Sequence, residues 1–505
     1  MELLIVGLDG LSWNILDRFD TEPEFLSRVA DKGVQGHLHS VDTPTTLPAW
    51  TSFATGKDPG THGLTNMITQ ASNYEISAPS TNTTDVAAYD LLNDSLFVNL
   101  PASVDRTPAA DGTFLVSSFD SEGPADAVPD PLKSLPAFEE YRTMQRDELK
   151  ATPDRFINDL VEIADARAEF TRQAIAETDP NVGFVLFSVT DWLGHVLGNA
   201  EDDETRAEWV QRVVGTVDEH AQRLSEEAEN SLLMSDHGFE HKHANLHLNE
   251  FLSEQGYLQE GDSDASTGAN LLVDVARKVA GRSDRLYQLM RRVYNRVIAF
   301  DVLDDVRDAA SFEPEYSESR AWELRFGSIH INDEYFDSPA VEDVETVRQQ
   351  LIDDLESLTY EGSPVFREVL QGEEAYENPK PGTPSVIARP NQGIYPLTFR
   401  SPTGDVLSPT DTFEHRYRGI VAAQGPMFEE GASLEGMSIE DVLPTVLHAL
   451  GNPVPNEMTG TIRHEILSED RDVARCDSSA IPRPQTKNAD IERNTEERLE
   501  DLGYI

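Results

Sequence analysis

Runs of consecutive apolar residues recur along the chain, each closed by a polar residue, and apolar positions at helical spacing separate them. Leu3-Leu4-Ile5-Val6-Gly7-Leu8 ends on Asp9-Gly10. Such a run predicts a central strand buried on both faces, with a carboxylate at its carboxyl end. Two further runs follow the same plan. One spans residues 182–191 and ends on Asp191, with His195 four residues later; the other is Ser231-Leu232-Leu233-Met234, followed by Ser235-Asp236-His237-Gly238. Between them, residues 22–33 predict a short helix stopped by Gly33, and residues 34–41 alternate as a strand. Residues 153–177 place Phe156, Leu160, Ile163, Phe170 and Ala174 on one helical face, which Arg167 interrupts. Residues 208–227 read as another helix. Later, 329–332, 384–388 and 419–423 predict strands, while 340–357 and 439–450 predict helices. Strands alternating with helices imply an α/β fold, a doubly wound, mainly parallel central sheet flanked by helices. In such sheets ligands bind outside the carboxyl ends of the strands, where the three Asp residues fall.

The alternation breaks in three places. Residues 70–150 are rich in Ser, Thr, Asp and Pro, and predict short strands joined by long surface loops. Residues 256–317 read as a helical insertion, which leaves 1–255 together with 318–468 as the main domain. Within the insertion, residues 277–300 are a basic island, with Arg285, Arg292 and Arg296 on one helical face. They suit either pairing with nearby acids or a lid that touches an anionic substrate or, peripherally, lipid headgroups. Residues 469–505 form a polar tail with a short amphipathic end.

Charge sharpens this picture. Over 505 residues, 92 acidic side chains face 40 basic ones, for a net charge of −52. Persistent strand and helix patterns argue against an acidic disordered chain. A lysine-poor acidic surface resembles those of salt-accumulating haloarchaeal proteins, where screening removes self-repulsion. It excludes duplex nucleic acid held by a broad basic face. No run of 18 apolar residues predicts a transmembrane segment, and the first residues lack the basic region of a signal peptide, so a cytoplasmic location is expected. The single cysteine, Cys476, supports neither a disulfide framework nor a thiolate metal site. Oligomeric state stays open.

The candidate chemistry gathers around Thr43-Pro44-Thr45-Thr46-Leu47-Pro48, a turn opening a small, apolar run that Gly56 breaks. A turn that starts a helix aims hydroxyl and backbone N–H groups at an anion. Asp9, Thr45 or Thr46, Asp191, His195, Asp236, His237 and His415 complete the set. Each has an ordinary reading: N-caps for the threonines, a turn for Asp9-Gly10, a surface pair for Asp191 and His195. Their joint occurrence points to a metal site, and mixed carboxylate and imidazole donors suit Zn²⁺ or Mn²⁺.

On these motifs the sequence resembles the alkaline phosphatase superfamily, in particular its type I phosphodiesterase/nucleotide pyrophosphatase branch. The resemblance runs from Asp9 through the Thr loop, His62-Gly63, Asp191-x-x-x-His195, Ser235-Asp236-His237-Gly238-Phe239 and His415-Arg416-Tyr417-Arg418-Gly419 to residues 498–504. It implies two divalent ions, Zn²⁺ or alternatively Mn²⁺. Asp9, Thr46, Asp236 and His237 would hold one, and Asp191, His195 and His415 the other. It further implies Thr46 as nucleophile, because Leu47-Pro48 follows it, and Asn66 as support for a phosphoryl oxygen, one residue short of the usual spacing. Thr45 stands where the family carries an aromatic residue or Lys. The implied activity is hydrolysis of a phosphodiester or nucleotide pyrophosphate in a small anionic substrate. Phosphomonoesterase, phosphonate hydrolase and phosphomutase are the alternatives. A sulfatase is disfavoured by the absence of a Cys/Ser-x-Pro-x-Arg motif, and a non-catalytic binding protein would need missing ligands.

Overall fold

The computed structural model describes residues 1–79, 85–104, 106–121, 123–146, 149–150, 152–259, 314–397, 401, 404–469 and 471–481. The basic island at 277–300 and the terminal segment 496–505 lie outside the described residues, as does most of the expected insertion.

The chain begins with strand β1 (Leu3–Leu8), helix α1 (Glu24–Lys32), β2 (Val34–His39) and α2 (Thr46–Thr55). It continues through β3 (Ser95–Leu100), β4 (Phe114–Ser117), α3 (Pro153–Thr178), β5 (Val182–Phe187), α4 (Val189–Val196) and α5 (Asp203–Ser225). Next come β6 (Asn230–Met234), β7 (Gly238–His247), β8 (Ala321–Arg325), β9 (Ser328–Ile331) and α6 (Val344–Glu356). The last elements are β10 (Phe366–Gln371), β11 (Val386–Pro390), β12 (Ile394–Leu397), β13 (Leu407–Arg416), β14 (Arg418–Gln424), β15 (Ser433–Ser438) and α7 (Val442–Ala449).

Eight strands make the central sheet in the order β15-β2-β14-β6-β1-β5-β3-β4. All run parallel to β1 except β14, which is antiparallel to both β2 and β6. Every residue of β1, β5 and β6 is buried, because helices cover both faces. On one face α1, α3, α4 and α5 pack against Leu4, Val6, Val185 and Phe187. On the other, α2 and α7 pack against Ile5, Phe184 and Leu232. Gly7 sets the distance there: a Cβ would come within 2.7 Å of Leu186 and 2.8 Å of the Trp50 ring. Trp50 of α2 then meets Phe53 and Phe184 edge-on, each 5.6 Å between ring centroids.

A four-stranded antiparallel sheet, β8-β9-β11-β10, stands beside this body with α6 on it, and a three-stranded sheet, β12-β7-β13, links the two. Strand β7 starts directly after Asp236-His237, and β13 turns through Tyr417 into β14. The linking sheet therefore borders the carboxyl ends of β1, β5 and β6. Among the described residues no helix is long and apolar enough to cross a membrane.

Three expectations change. The apolar run at 182–191 is not one strand: β5 stops at Phe187 and the chain winds into α4, so Asp191 sits on a helix. The polar region 70–150 does not lie wholly on the surface; Ser118 and Asp120 are buried, and Leu132 and Tyr141 pack in one core with α3. Part of the polar tail is anchored, since Arg475-Cys476 pairs in parallel with Val454-Pro455.

Candidate metal centre

Three strand ends and two turns build the site. Asp9 is the first residue after β1, and Gly10 (φ +68°) turns the chain there while its N–H donates to Asp236 Oδ1 at 3.2 Å. A side chain at Gly10 would strike the Phe239 ring at 2.8 Å, so backbone freedom and close approach both demand glycine. Ser235 locks the neighbouring turn: its Oγ donates to Leu11 O and accepts from Ile420 N, each at 2.7 Å. Asp236 and His237 follow, both fully buried.

From β5 the chain enters α4, whose Thr190 hydroxyl donates to Asp9 O at 2.5 Å. The helical spacing then puts Asp191 and His195 on one face. His195 Nε2 lies 3.5 Å from Asp191 Oδ2. Strand β13 supplies His415, whose Nδ1–H donates to Pro44 O at 2.8 Å. That bond leaves the Nε2 lone pair facing inward, 3.3 Å from Asp191 Oδ1 and 3.2 Å from His195 Nε2. His237 is arranged alike, with Nδ1 3.4 Å from Gly238 O and Nε2 among Asp236 Oδ2 (3.4 Å), Asp9 Oδ1 (3.7 Å) and Asp191 Oδ1 (3.8 Å). Its ring stacks on His415 at 4.0 Å between centroids, and Phe239 meets the rings of His415 and His195 edge-on.

The donors fall into two sets, Asp9/Asp236/His237 and Asp191/His195/His415, each with its ligand atoms within 4.8 Å of one another. These are the groupings that the resemblance implies, apart from Thr46. Buried Asp9 Oδ1, Asp191 Oδ1, Asp236 Oδ2 and His237 Nε2 make no hydrogen bond. Unpaired buried carboxylate and imidazole atoms are costly unless a cation takes them, so the residues fit divalent ions.

Electrostatics agree. Burial, then repulsion from Asp236 and Asp191, pushes Asp9 well above the carboxylate range. Burial likewise pushes Asp236 up to about 7. Asp191 goes the other way: although burial opposes it, His195 and His415 hold it low. Asp191 in turn raises His195 against desolvation. Burial lowers His237 and His415 to about 4, which keeps both neutral and able to bind metal.

Thr46 is the first residue of α2, with Thr45 as its N-cap, and both are buried. The Pro44–His415 hydrogen bond fixes this turn against the second donor set. Asn66 is buried at the site's edge, where its Nδ2 donates to Arg325 O at 3.4 Å and its Oδ1 accepts from Met67 N. Next to Arg325, Phe326 lies parallel to the His415 ring at 6.3 Å, so the segment that Asn66 contacts also meets the cluster.

Several supporting groups carried no clear sequence signal. Arg167 is fully buried; it donates to Leu186 O at 3.0 Å and to Arg142 O, holding the carboxyl end of β5 from which α4 springs. Asn99 (φ +64°) donates to Leu186 O and Ser188 Oγ at the same place. Only Arg167 left a mark in the sequence, as a break in the apolar stripe of α3.

The model of the family described as type I phosphodiesterase / nucleotide pyrophosphatase matches residues 3–416, from β1 through His415. The chain belongs to this family. No curated protein matches the sequence. Among solved structures, human ectonucleotide pyrophosphatase/phosphodiesterase 5 is similar at 14% identity and TM-score 0.50, over 93% of this chain and 100% of that one. Phosphonoacetate hydrolase from Sinorhizobium meliloti 1021, in complex with phosphonoformate, is similar at 13% identity and TM-score 0.53, over 89% and 95%. The alkaline phosphatase PafA is similar at 14% identity and TM-score 0.51, over 92% and 99%. These likenesses support an alkaline-phosphatase-like fold. The protein is thus a member of the type I phosphodiesterase/nucleotide pyrophosphatase family with an alkaline-phosphatase-like fold and candidate metal-binding carboxylate and histidine clusters.

Proposed function

We propose that the protein hydrolyses a phosphodiester or nucleotide pyrophosphate bond in a small anionic substrate, using Thr46 as nucleophile beside two divalent ions. The observation that carries this reading is the pair of imidazole nitrogens, His415 Nε2 and His195 Nε2, held 3.2 Å apart against Asp191 while Pro44, at the start of the Thr46 turn, takes the other nitrogen of His415. Asp9, Asp236 and His237, with Thr46 Oγ, would hold one ion, and Asp191, His195 and His415 the other. Zn²⁺ suits the mixed donors best, with Mn²⁺ as the alternative. When bound, two such ions supply charge stabilisation to the phosphoryl oxygens and make a nearby hydroxyl more acidic.

The chain's own groups do the rest. The α2 N-terminus directs the Thr46 hydroxyl and first-turn N–H groups at the phosphoryl group. Thr46 Oγ attacks phosphorus in line; the new O–P bond forms as the bond to the leaving alcohol or phosphate breaks, and the departing oxygen takes up a proton. Water then cleaves the phosphothreonine and returns the proton to Thr46 Oγ. Asn66 Nδ2 supports a phosphoryl oxygen. A phosphonate or phosphomonoester substrate is the second reading, since the same donors would serve it.

Thr46→Ala tests the mechanism. Turnover of a chromogenic diester should fall by about 4–7 kcal/mol of transition-state stabilisation, a thousands-fold drop or more, with both ions still bound. Thr45→Ala should be mild. A Thr46 variant with wild-type burst and turnover would overturn the assignment.

We further infer a salt-adapted, cytoplasmic enzyme, a reading supported by the net charge of −52. Structure should be lost cooperatively on dilution into low salt. Full near-UV circular dichroism and activity without salt would overturn it.

A further inference from the structure

We propose that a second, oxyanion-binding site lies on the same sheet edge as the metal cluster, built by Arg367, Arg418 and His39 around the ring of Tyr417. Its ligand is a phosphate-class group, either the distal end of the substrate or a free anion. The distal-group form rests on the function proposed above; the site itself does not.

Tyr417 is the hub. Arg367 lies over its ring with Cζ 4.6 Å from the centroid, Arg389 lies at 5.7 Å, and the His39 ring stands 5.4 Å away. Arg389 is neutralised, with Asp42 Oδ1 and Glu368 Oε2 each at 2.6 Å. Arg416 faces Glu240 Oε2 at 3.8 Å, and its Nη1 is buried without a hydrogen bond. Arg367 and Arg418 are exposed and, among the described residues, form no salt bridge, although Asp42 and Glu368 act on Arg367 at longer range. Acidic side chains outnumber basic ones 92 to 40, so two arginines outside salt bridges beside two others are the reverse of what such a surface supplies by chance. Arg367 and Arg389 repel one another across the Tyr417 ring, and an anion relieves the repulsion. The imidazoles register that field: burial, then Arg418 and Arg367, lowers His39 to about 4, and burial, then Arg418 and Arg416, lowers His37.

Position makes the site useful. His39 ends β2, which runs parallel to β1, so this patch and the metal cluster share one edge. Two strands, β14 and β6, separate β2 from β1. At about 4.8 Å per strand, the separation is roughly 10–15 Å, the reach of a substrate with a second phosphate. Guanidinium forks suit an oxyanion held by two parallel hydrogen bonds. Set in a chain with so many acidic side chains, a local basic patch would orient a doubly anionic molecule.

The test compares the metal-loaded wild type with Arg367→Gln/Arg418→Gln at constant chloride. In calorimetric titration with inorganic phosphate, the wild type should bind at two sites and the double variant at one. Two chromogenic diesters that differ only in a second phosphate on the alcohol arm then identify the source. If the distal group is the ligand, the ratio of kcat/KM for the phosphorylated over the plain diester falls about tenfold in the variant. If a free anion is the ligand, the ratio holds while the second phosphate site is still lost. Identical phosphate titrations of the two proteins would overturn the proposal. If the wild type cleaves neither diester, the proposed function fails, and the titration still decides the site. Should the double variant misfold, exposed Arg418→Gln alone carries the same titration.

Discussion

The two halves of the candidate metal cluster are built differently. Asp9, Asp236 and His237 all follow parallel strands within three residues, and none is more than 2% exposed. Asp191, His195 and His415 come from a helix and from a strand of the linking sheet, and the His195 side chain is 37% exposed. The first half crowds two carboxylates that burial and mutual repulsion push upward. The second half neutralises itself, with Asp191 held low and His195 raised. Without metal, then, the first half gathers carboxyls that resist ionising, and the second sets a carboxylate against imidazoles. A site made this way should depend on its first ion for integrity and on its second for tuning.

Breaking the first half should do most. Asp9→Asn or Asp236→Asn removes a buried ligand that nothing else can replace, and turnover should drop thousands-fold or more, beyond rescue by added metal. Restoration by millimolar Zn²⁺ would show that the two halves are equivalent. His415→Ala should come next: one ion is weakened, and excess Zn²⁺ or Mn²⁺ should restore part of the rate. If the Pro44 contact matters more than ligation, added metal will restore nothing. The exposed His195 should matter least of the ligands, with His195→Ala costing about 10–100-fold in affinity for one ion, read by competition with a chromogenic chelator.

The subtlest contrast is in pH. Burial holds Asp236 up at about 7 in the folded chain, against an ordinary value of 3.8. The folded state therefore holds a proton that the unfolded state releases, and this stability is complete below about pH 4 and lost as pH rises through 7. The Asp191–His195 pair acts oppositely at its acid end, since a lowered carboxylate contributes above its unfolded value and fails as pH falls. Chelated protein should lose Tm between about pH 4 and 7, and divalent metal or Asp236→Asn should flatten that slope. An unchanged slope in the variant would assign it to other carboxylates.

Much of the site was legible. Asp9, Asp236 and His237 follow apolar runs long enough to be strands, and a strand end is a place that sequence can mark. Asp191 and His195 were legible by spacing, although the run before them hides where β5 stops; Ser188 and Val189 are as compatible with a strand as with the helix they begin. His415 stood among the candidates, but its pairing with Asp191 and His195 came only from the resemblance, since nothing local marks a strand from another sheet as reaching the centre. Asn99, whose unusual backbone and paired donations brace β5, gave no pattern at all.

Local chemistry by itself determined the alternation of buried strands and amphipathic helices, the acidic surface, and which residue types stand at strand ends. Those features depend on neighbours a few residues away, where apolar periodicity and turn geometry act. Only the tertiary structure decided that Pro44 O would fix the tautomer of His415, that Arg167 would be buried beneath the site, and that Tyr417 would gather His39, Arg367 and Arg389 from β2, β10 and β11. Each joins segments far apart in the chain. Their meeting is set by sheet order and by packing between sheets, which no single stretch of sequence encodes.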